Sequence, residues 1–272
     1  TGTAKPNILP LRIPIRSQIR NNVKNDFVTF DTKYVTPLGD DHTLAVGARW
    51  QREGVDYHLK RTIAPTGWAP PMFANMMRQR SSNDNGSLSR SSWALYGEDT
   101  WALTKKLVFT YGLRYDHPED YDDNLSPRGY LIYMPNRNFT VKGGVATGYK
   151  APTMLQSAPV DIHLNITGEI YRGNTGLKPE KSTTEEIGFY YHNEHDTDAH
   201  LTFFHTDFQN KIDLSDAVGG VRTYENVGKA RIHGVEVGTK FAIAPKMSAG
   251  LNWTLLTSQI KSGKNVGQPL RS

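Results

Sequence analysis

Three groups of residues in this chain have the types and spacing to do chemistry. The first lies between residues 62 and 91, where Trp68, Met72, Phe73, Met76, Met77, Arg78 and Arg80 stand among prolines and glycines. Aromatic rings beside guanidinium groups hold a flat, anionic, aromatic ligand by stacking, cation–π contact and charge. Tyr121, Tyr171 and Arg172 offer the same chemistry further along. The competing reading is that Trp68, Met72 and Phe73 only pack their loop against its neighbours. The second group is His192, Glu194 and His195, which has neither the order nor the helical setting of a zinc-protease motif. The third is Gly143, Gly144 and Gly148; no Gly-Lys-Ser/Thr follows, so this is not a phosphate loop, and small residues there suit a crowded interior. None of these groups makes an enzyme.

Composition narrows the rest. The chain has 272 residues and no cysteine, which removes disulfides, thiolate metal sites and a cysteine nucleophile. Basic residues outnumber acidic ones 32 to 27 and are scattered. A nucleic-acid surface wants them concentrated, so nucleic acid is not an expected partner. No run approaches the roughly 18 apolar residues of a membrane helix, which leaves a membrane barrel open, since barrel strands alternate apolar and polar residues.

The elements that must position these residues are strands. Leu107, Phe109, Tyr111, Leu113 and Tyr115 alternate with Val108, Thr110, Gly112, Arg114 and Asp116. Residues 26–35, 43–50, 92–103, 126–134, 138–149, 183–193, 198–212, 234–243 and 247–255 give nine further strand candidates, although 126–134 and 198–212 alternate poorly. Short turns at 37–41, 104–106, 135–138, 194–197 and 244–246 alternate with longer loops at about 54–91, 117–125, 151–181 and 213–224. Outer-membrane barrels have this asymmetry, with tight turns at one end and long loops at the other. The expectation is all-β: an antiparallel transmembrane β-barrel segment of about ten strands, part of a larger barrel. A soluble β-rich binding module is the alternative.

Several segments resemble the TonB-dependent outer-membrane receptors. Tyr149-Lys150-Ala151-Pro152 is a variant of that family's Arg-Ala-Pro-like motif at the end of a barrel strand. Asn174 to Glu180 (Asn-Thr-Gly-Leu-Lys-Pro-Glu) is a variant of its Asn-Pro-x-Leu-Lys-Pro-Glu-like motif. Tyr96 to Trp101, Gly112 to Asp116, Ser126-Pro127-Arg128, and Asn226 to Ala230 followed by Gly234 and Glu236 also resemble the family, in the same order. The resemblance implies a bacterial outer-membrane receptor for TonB-dependent uptake of a ferric siderophore, of catecholate type, with no cofactor of its own. It implies outer-membrane lipid around the barrel and TonB as partner through a plug region. Trp68, Arg78, Arg80, Tyr121, Tyr171 and Arg172 become the substrate-binding candidates. No protein atom need touch the iron, because the chelator fills its coordination shell. Haem receptors of the family place an iron-ligating histidine in the interval where His163 falls, so a haem receptor is the alternative, with His163 as axial ligand. A barrel without transport function, binding a bacteriocin or phage through its loops, is another. The largest barrels have 22 strands and a plugged lumen, so residues 1–272 are expected to form part of one barrel domain, without the plug domain and the C-terminal strands.

Overall fold

The computed structural model describes residues 15–65, 80–158, 161–163, 170–194, 197–244, 246–263 and 265–270. They build one ten-stranded sheet in the order β1-β2-β3-β4-β5-β6-β9-β10-β13-β14. Its strands are β1 (Ile15–Leu38), β2 (His42–Pro65), β3 (Arg80–Thr104), β4 (Leu107–Pro118), β5 (Asn124–Tyr133), β6 (Phe139–Lys150), β9 (Glu180–His192), β10 (Asp198–Gln209), β13 (Ala230–Ala244) and β14 (Met247–Ile260). Four short strands, β7 (Asp161–His163), β8 (Ile170–Arg172), β11 (Ile212–Leu214) and β12 (Val221–Asn226), form a second sheet ordered β11-β12-β8-β7. The helix among the described residues is α1, Met154–Ser157, capped by Thr153 and Gln156.

By contact the chain divides into two compact units. One comprises residues within 1–26 and 55–88; there Lys24 pairs with Asp26 at 3.1 Å. The other comprises 27–54 and 89–272 and carries every feature discussed below.

The pairing is antiparallel from β3 to β14, so turns of one kind recur at one end. Backbone bonds tie neighbouring tight turns together: Ala102 N–H donates to Asp41 O (2.7 Å), Met134 N–H to Lys106 O (2.8 Å) and His192 N–H to Asn138 O (2.9 Å). His192 also meets Asp198 at 2.6 Å across its turn, while His195 lies outside the described residues.

The faces follow the alternation. On β4, Phe109, Tyr111 and Leu113 stand opposite Trp101, Asp99 and Gly97 of β3 and share their face. Leu95, Leu113, Leu131, Ile187, Phe203 and Trp253 are exposed on it. A soluble protein has no use for so continuous an apolar wall, whereas a barrel turns it to lipid. The other face is polar and cross-linked. Thr100 meets Thr110 (3.3 Å), Thr184 meets Thr206 (3.0 Å), Tyr96 donates to Asp31 (3.1 Å), Lys142 pairs with Glu186 (3.5 Å) and Arg128 pairs with Glu98.

Two strands alternate poorly for a visible reason. Tyr130 of β5 and Phe204 of β10 are aromatic residues on the polar face, each lying over a glycine of the next strand. A Cβ on Gly144 would sit 2.4 Å from both Gly129 O and the Tyr130 ring; one on Gly234 would sit 2.8 Å from the Phe204 ring. The glycine near-cluster at 143–148 is thus partly a packing requirement.

The expected loop 54–91 is shorter than its sequence suggests. β2 runs on to Pro65 and β3 starts at Arg80, so Arg80 opens a strand rather than standing in the loop. The expected strand 198–212 ends at Gln209, and Ile212 begins the separate β11.

Candidate ligand site at the loop end

The loop end of the polar face is organised by buried charges. Glu53 on β2 and Arg90 on β3 are 6% and 8% exposed. Arg90 Nη2 donates to Glu53 Oε2 (3.1 Å) and to Pro152 O (2.6 Å), and Met154 N–H donates to Glu53 Oε1 (3.2 Å). The Tyr-Lys-Ala-Pro turn after β6 is therefore clasped to β2 and β3 through one ion pair. Burying two charges is tolerable because each is paired and hydrogen-bonded. Arg90 also reaches the loop after β4, with Asp120 4.0 Å from Nη1 and the Tyr121 ring centre 5.5 Å from Cζ.

The Leu-Lys-Pro-Glu motif plays a matching part on the other loops. Glu180, 5% exposed, accepts Ile212 N–H (2.7 Å) and Lys211 Nζ (2.9 Å). Asn226 donates to Lys178 O (2.9 Å) and Asn210 O (2.7 Å), and accepts Lys178 N–H (2.9 Å). Asn174 donates to Tyr224 O (2.9 Å). These motif residues staple loop 151–179 to loop 210–229, which is why the parallel β8–β12 pairing forms there. Gly173 is required at the same junction, since a Cβ would fall 1.9 Å from Ala158 O.

Between these loops and the strands lies a cavity of about 250 Å3. Arg49, Arg90, Arg114, Asp116, Tyr149 and Phe27 are among its lining residues. Arg49 Nε, Arg90 Nη1 and Tyr149 Oη are buried and have no hydrogen-bond partner among the described residues. All three are donors, so the cavity suits a ligand that brings acceptor oxygens. Arg114 is committed to Asp116 at 2.8 Å.

The residues singled out in the sequence are distributed unevenly. Trp68 and Arg78 lie outside the described residues, as do the side chains of Arg80 and His163. His163 is placed at backbone level in β7, opposite Ile170. Tyr121 lies against Arg90 beside the cavity. Tyr171 and Arg172 are on β8, where Arg172 makes a two-pronged bond to Asp161 (2.6 and 3.0 Å). Arg49, Glu53, Arg90 and Tyr149 escaped the sequence reading. The available signal was a lone acid and a lone base, Glu53 and Arg90, at the loop ends of two strands read as neighbours.

The loop after β4 carries a pH signature. Glu119 accepts Ser91 N–H (2.7 Å) and Ser91 Oγ–H (2.9 Å), and these bonds hold its carboxyl below the usual range. The Tyr115 hydroxyl, then His117 at 2.6 Å, do the same for Asp123. Lowered carboxyl pKa values mean that the stabilisation is present above the unfolded value, about 4, and is lost as pH falls through the folded value. Protection of the Ser91 amide from hydrogen exchange is therefore expected to hold at neutral pH and to fall only below about pH 4. Glu119→Gln should weaken it at every pH; loss of protection already above pH 5 in the parent protein would contradict this.

A ten-stranded antiparallel sheet, apolar on one face and polar on the other, with tight turns at one end and interlocked loops at the other, is the wall of a large outer-membrane β-barrel. The chain belongs to the TonB-dependent receptor family: the model "TonB dependent receptor-like, beta-barrel" matches residues 6–272. It is 30% identical over 257 residues to the iron-regulated outer membrane virulence protein of Vibrio cholerae serotype O1, covering 90% of this chain and 36% of that protein. It is 32% identical over 252 residues to the ferric enterobactin receptor of Pseudomonas aeruginosa, covering 84% of this chain and 32% of that one. The crystal structure of a variant of the ferric enterobactin receptor of Pseudomonas aeruginosa in complex with enterobactin superposes with a TM-score of 0.63 at 26% identity, over 87% of this chain and 36% of that one. The chain thus spans about a third of the length of these relatives. Its place is the bacterial outer membrane.

Proposed function

We propose that the intact protein captures a ferric siderophore of catecholate type at its loop end and imports it with TonB. The observation that carries this reading is the set of unpaired donors, Arg49 Nε, Arg90 Nη1 and Tyr149 Oη, on one small cavity. Relatives named as ferric enterobactin receptors support it. A cavity of about 150 Å3 holds one benzene ring, so 250 Å3 takes a single catechol ring, not a whole chelate. The ring's oxygens carry negative charge, and two guanidinium groups with a phenol are matched donors. The rest of the chelate then lies against the loops, within reach of Trp68, Arg78, Arg80, Tyr121 and Tyr171. Arg172 contributes to the extent that it shares its charge beyond Asp161.

The experiment is a fluorescence titration of the intact receptor with a ferric tris-catecholate, a ferric hydroxamate and haem. Catecholate binding is expected to weaken about tenfold or more with Arg49→Ala, the loss of one charge-assisted bond. Tyr149→Phe should cost less, since the ring remains. Catecholate affinity unchanged in both variants would remove the cavity from the site. Haem binding abolished by His163→Ala, with no catecholate binding, would replace this reading by the haem receptor.

A further inference from the structure

The apolar face carries one feature that a plain lipid-facing wall does not need. Asp99 lies on that face, between Trp101 and Gly97 on β3 and opposite Tyr111 on β4. Its side chain is 10% exposed. Oδ2 accepts from His42 Nδ1 at 2.7 Å, the Trp101 ring stacks on His42 with centres 5.1 Å apart, and the Tyr111 hydroxyl neighbours the same carboxylate. Oδ1 accepts no hydrogen bond of good geometry among the described residues. A buried carboxylate oxygen left so is costly, and costlier where lipid replaces water.

A shallow groove of about 650 Å3 leads away from Asp99. Leu38, Leu44, Leu113 and Pro127 wall it, and Gly97, lacking a side chain, is part of its floor. Gly97 is not there for want of room, because a Cβ would meet only Val46 Cγ1, at 4.0 Å. The register sets the direction: the pairs Trp101–Phe109, Asp99–Tyr111 and Gly97–Leu113 run from the tight-turn end toward the middle of the wall. Tight turns face the periplasm in barrels of this kind. The polar end of the groove is then at the periplasmic interface, where indole and phenol rings also sit, and the apolar end is in the hydrocarbon.

We infer that this groove is a binding site for a phospholipid of the periplasmic leaflet whose headgroup ends in a primary ammonium. One acyl chain lies over Gly97 between Leu44 and Leu113. The ammonium donates to Asp99 Oδ1 and lies near the Trp101 and Tyr111 rings, which favour a cation. Charge complementarity selects the headgroup. An anionic glycerol headgroup meets a carboxylate of its own sign, and a trimethylated ammonium has no N–H to give. The inference rests on placement in the outer membrane and not on the identity of the transported chelate.

The test uses the intact receptor in nanodiscs containing equal amounts of phosphatidylethanolamine, phosphatidylcholine and phosphatidylglycerol, with tightly held lipid read by native mass spectrometry. The parent protein is expected to retain phosphatidylethanolamine about tenfold over the other two, the size of one charge-assisted hydrogen bond. Asp99→Asn should erase the preference. Gly97→Leu should expel the lipid while leaving Asp99 in place, and it decides the matter if Asp99→Asn fails to assemble. Ferric-chelate binding, measured in parallel, is expected to be unchanged in both. Equal retention of the three lipids by the parent, a preference that survives both variants, or a second copy of the chain on this face would overturn the inference.

Discussion

Replacing Arg90 by alanine is expected to release the turn after β6 and, with it, most of the ligand affinity. Arg90 is 8% exposed, and its removal leaves Glu53, 6% exposed, with its charge unpaired. Breaking a buried pair from one side costs about 3–5 kcal/mol. The barrel wall is held by its sheet ladder and should survive; the loss falls on the contacts Arg90 makes to Pro152 O and Glu53. Hydrogen exchange at Met154, whose amide donates to Glu53, should accelerate about a hundredfold or more, as a loss of this size implies. Glu53→Gln in the Arg90→Ala background should restore part of the protection, since it neutralises the stranded charge and keeps an acceptor. No change at Met154 would show that the clasp is not what holds the turn.

Arginine at Phe109 is expected to block assembly, whereas arginine at Thr110, one residue on, is expected to be tolerated. Phe109 pairs with Trp101 on one side and Leu131 on the other, on the apolar face. Thr110 bonds Thr100 on the polar face, among Arg114, Glu98 and Arg128. A charge on the lipid face costs about 2–4 kcal/mol at mid-membrane and less near the interfaces. The measurement is the fraction of heat-modifiable, folded barrel in outer membranes. Equal yields from the two variants would mean that the faces are exchanged or that this wall does not meet lipid.

The ten strands of the main sheet, their antiparallel order and their faces were legible because period-two patterning survives wherever one face meets lipid. It stops being informative where neither face does. Residues 55–65 and 80–91 are strand but mix charged, polar and apolar side chains without alternation, so they read as loop. The second sheet was invisible for another reason. β7, β8 and β11 have three residues each, and β8 pairs in parallel with β12, about fifty positions away, through staples such as Asn174–Tyr224 that no local pattern announces. The binding candidates were chosen by composition, which finds arginine and aromatic clusters contiguous in sequence. Arg49, Arg90 and Tyr149 come together only through the order of β2, β3 and β6 in space. Asp99 was read as part of a motif, but its burial beneath His42 shows only once β2 lies beside β3.

The most direct test of the account is radioiron uptake by iron-starved cells that make the intact receptor as their sole route for a ferric catecholate. The account predicts uptake that requires the receptor, stops when TonB is deleted, and falls with Arg49→Ala at limiting chelate while the receptor's amount in the outer membrane is unchanged. Uptake that persists without TonB, or an intact receptor that delivers no catecholate iron, would contradict it.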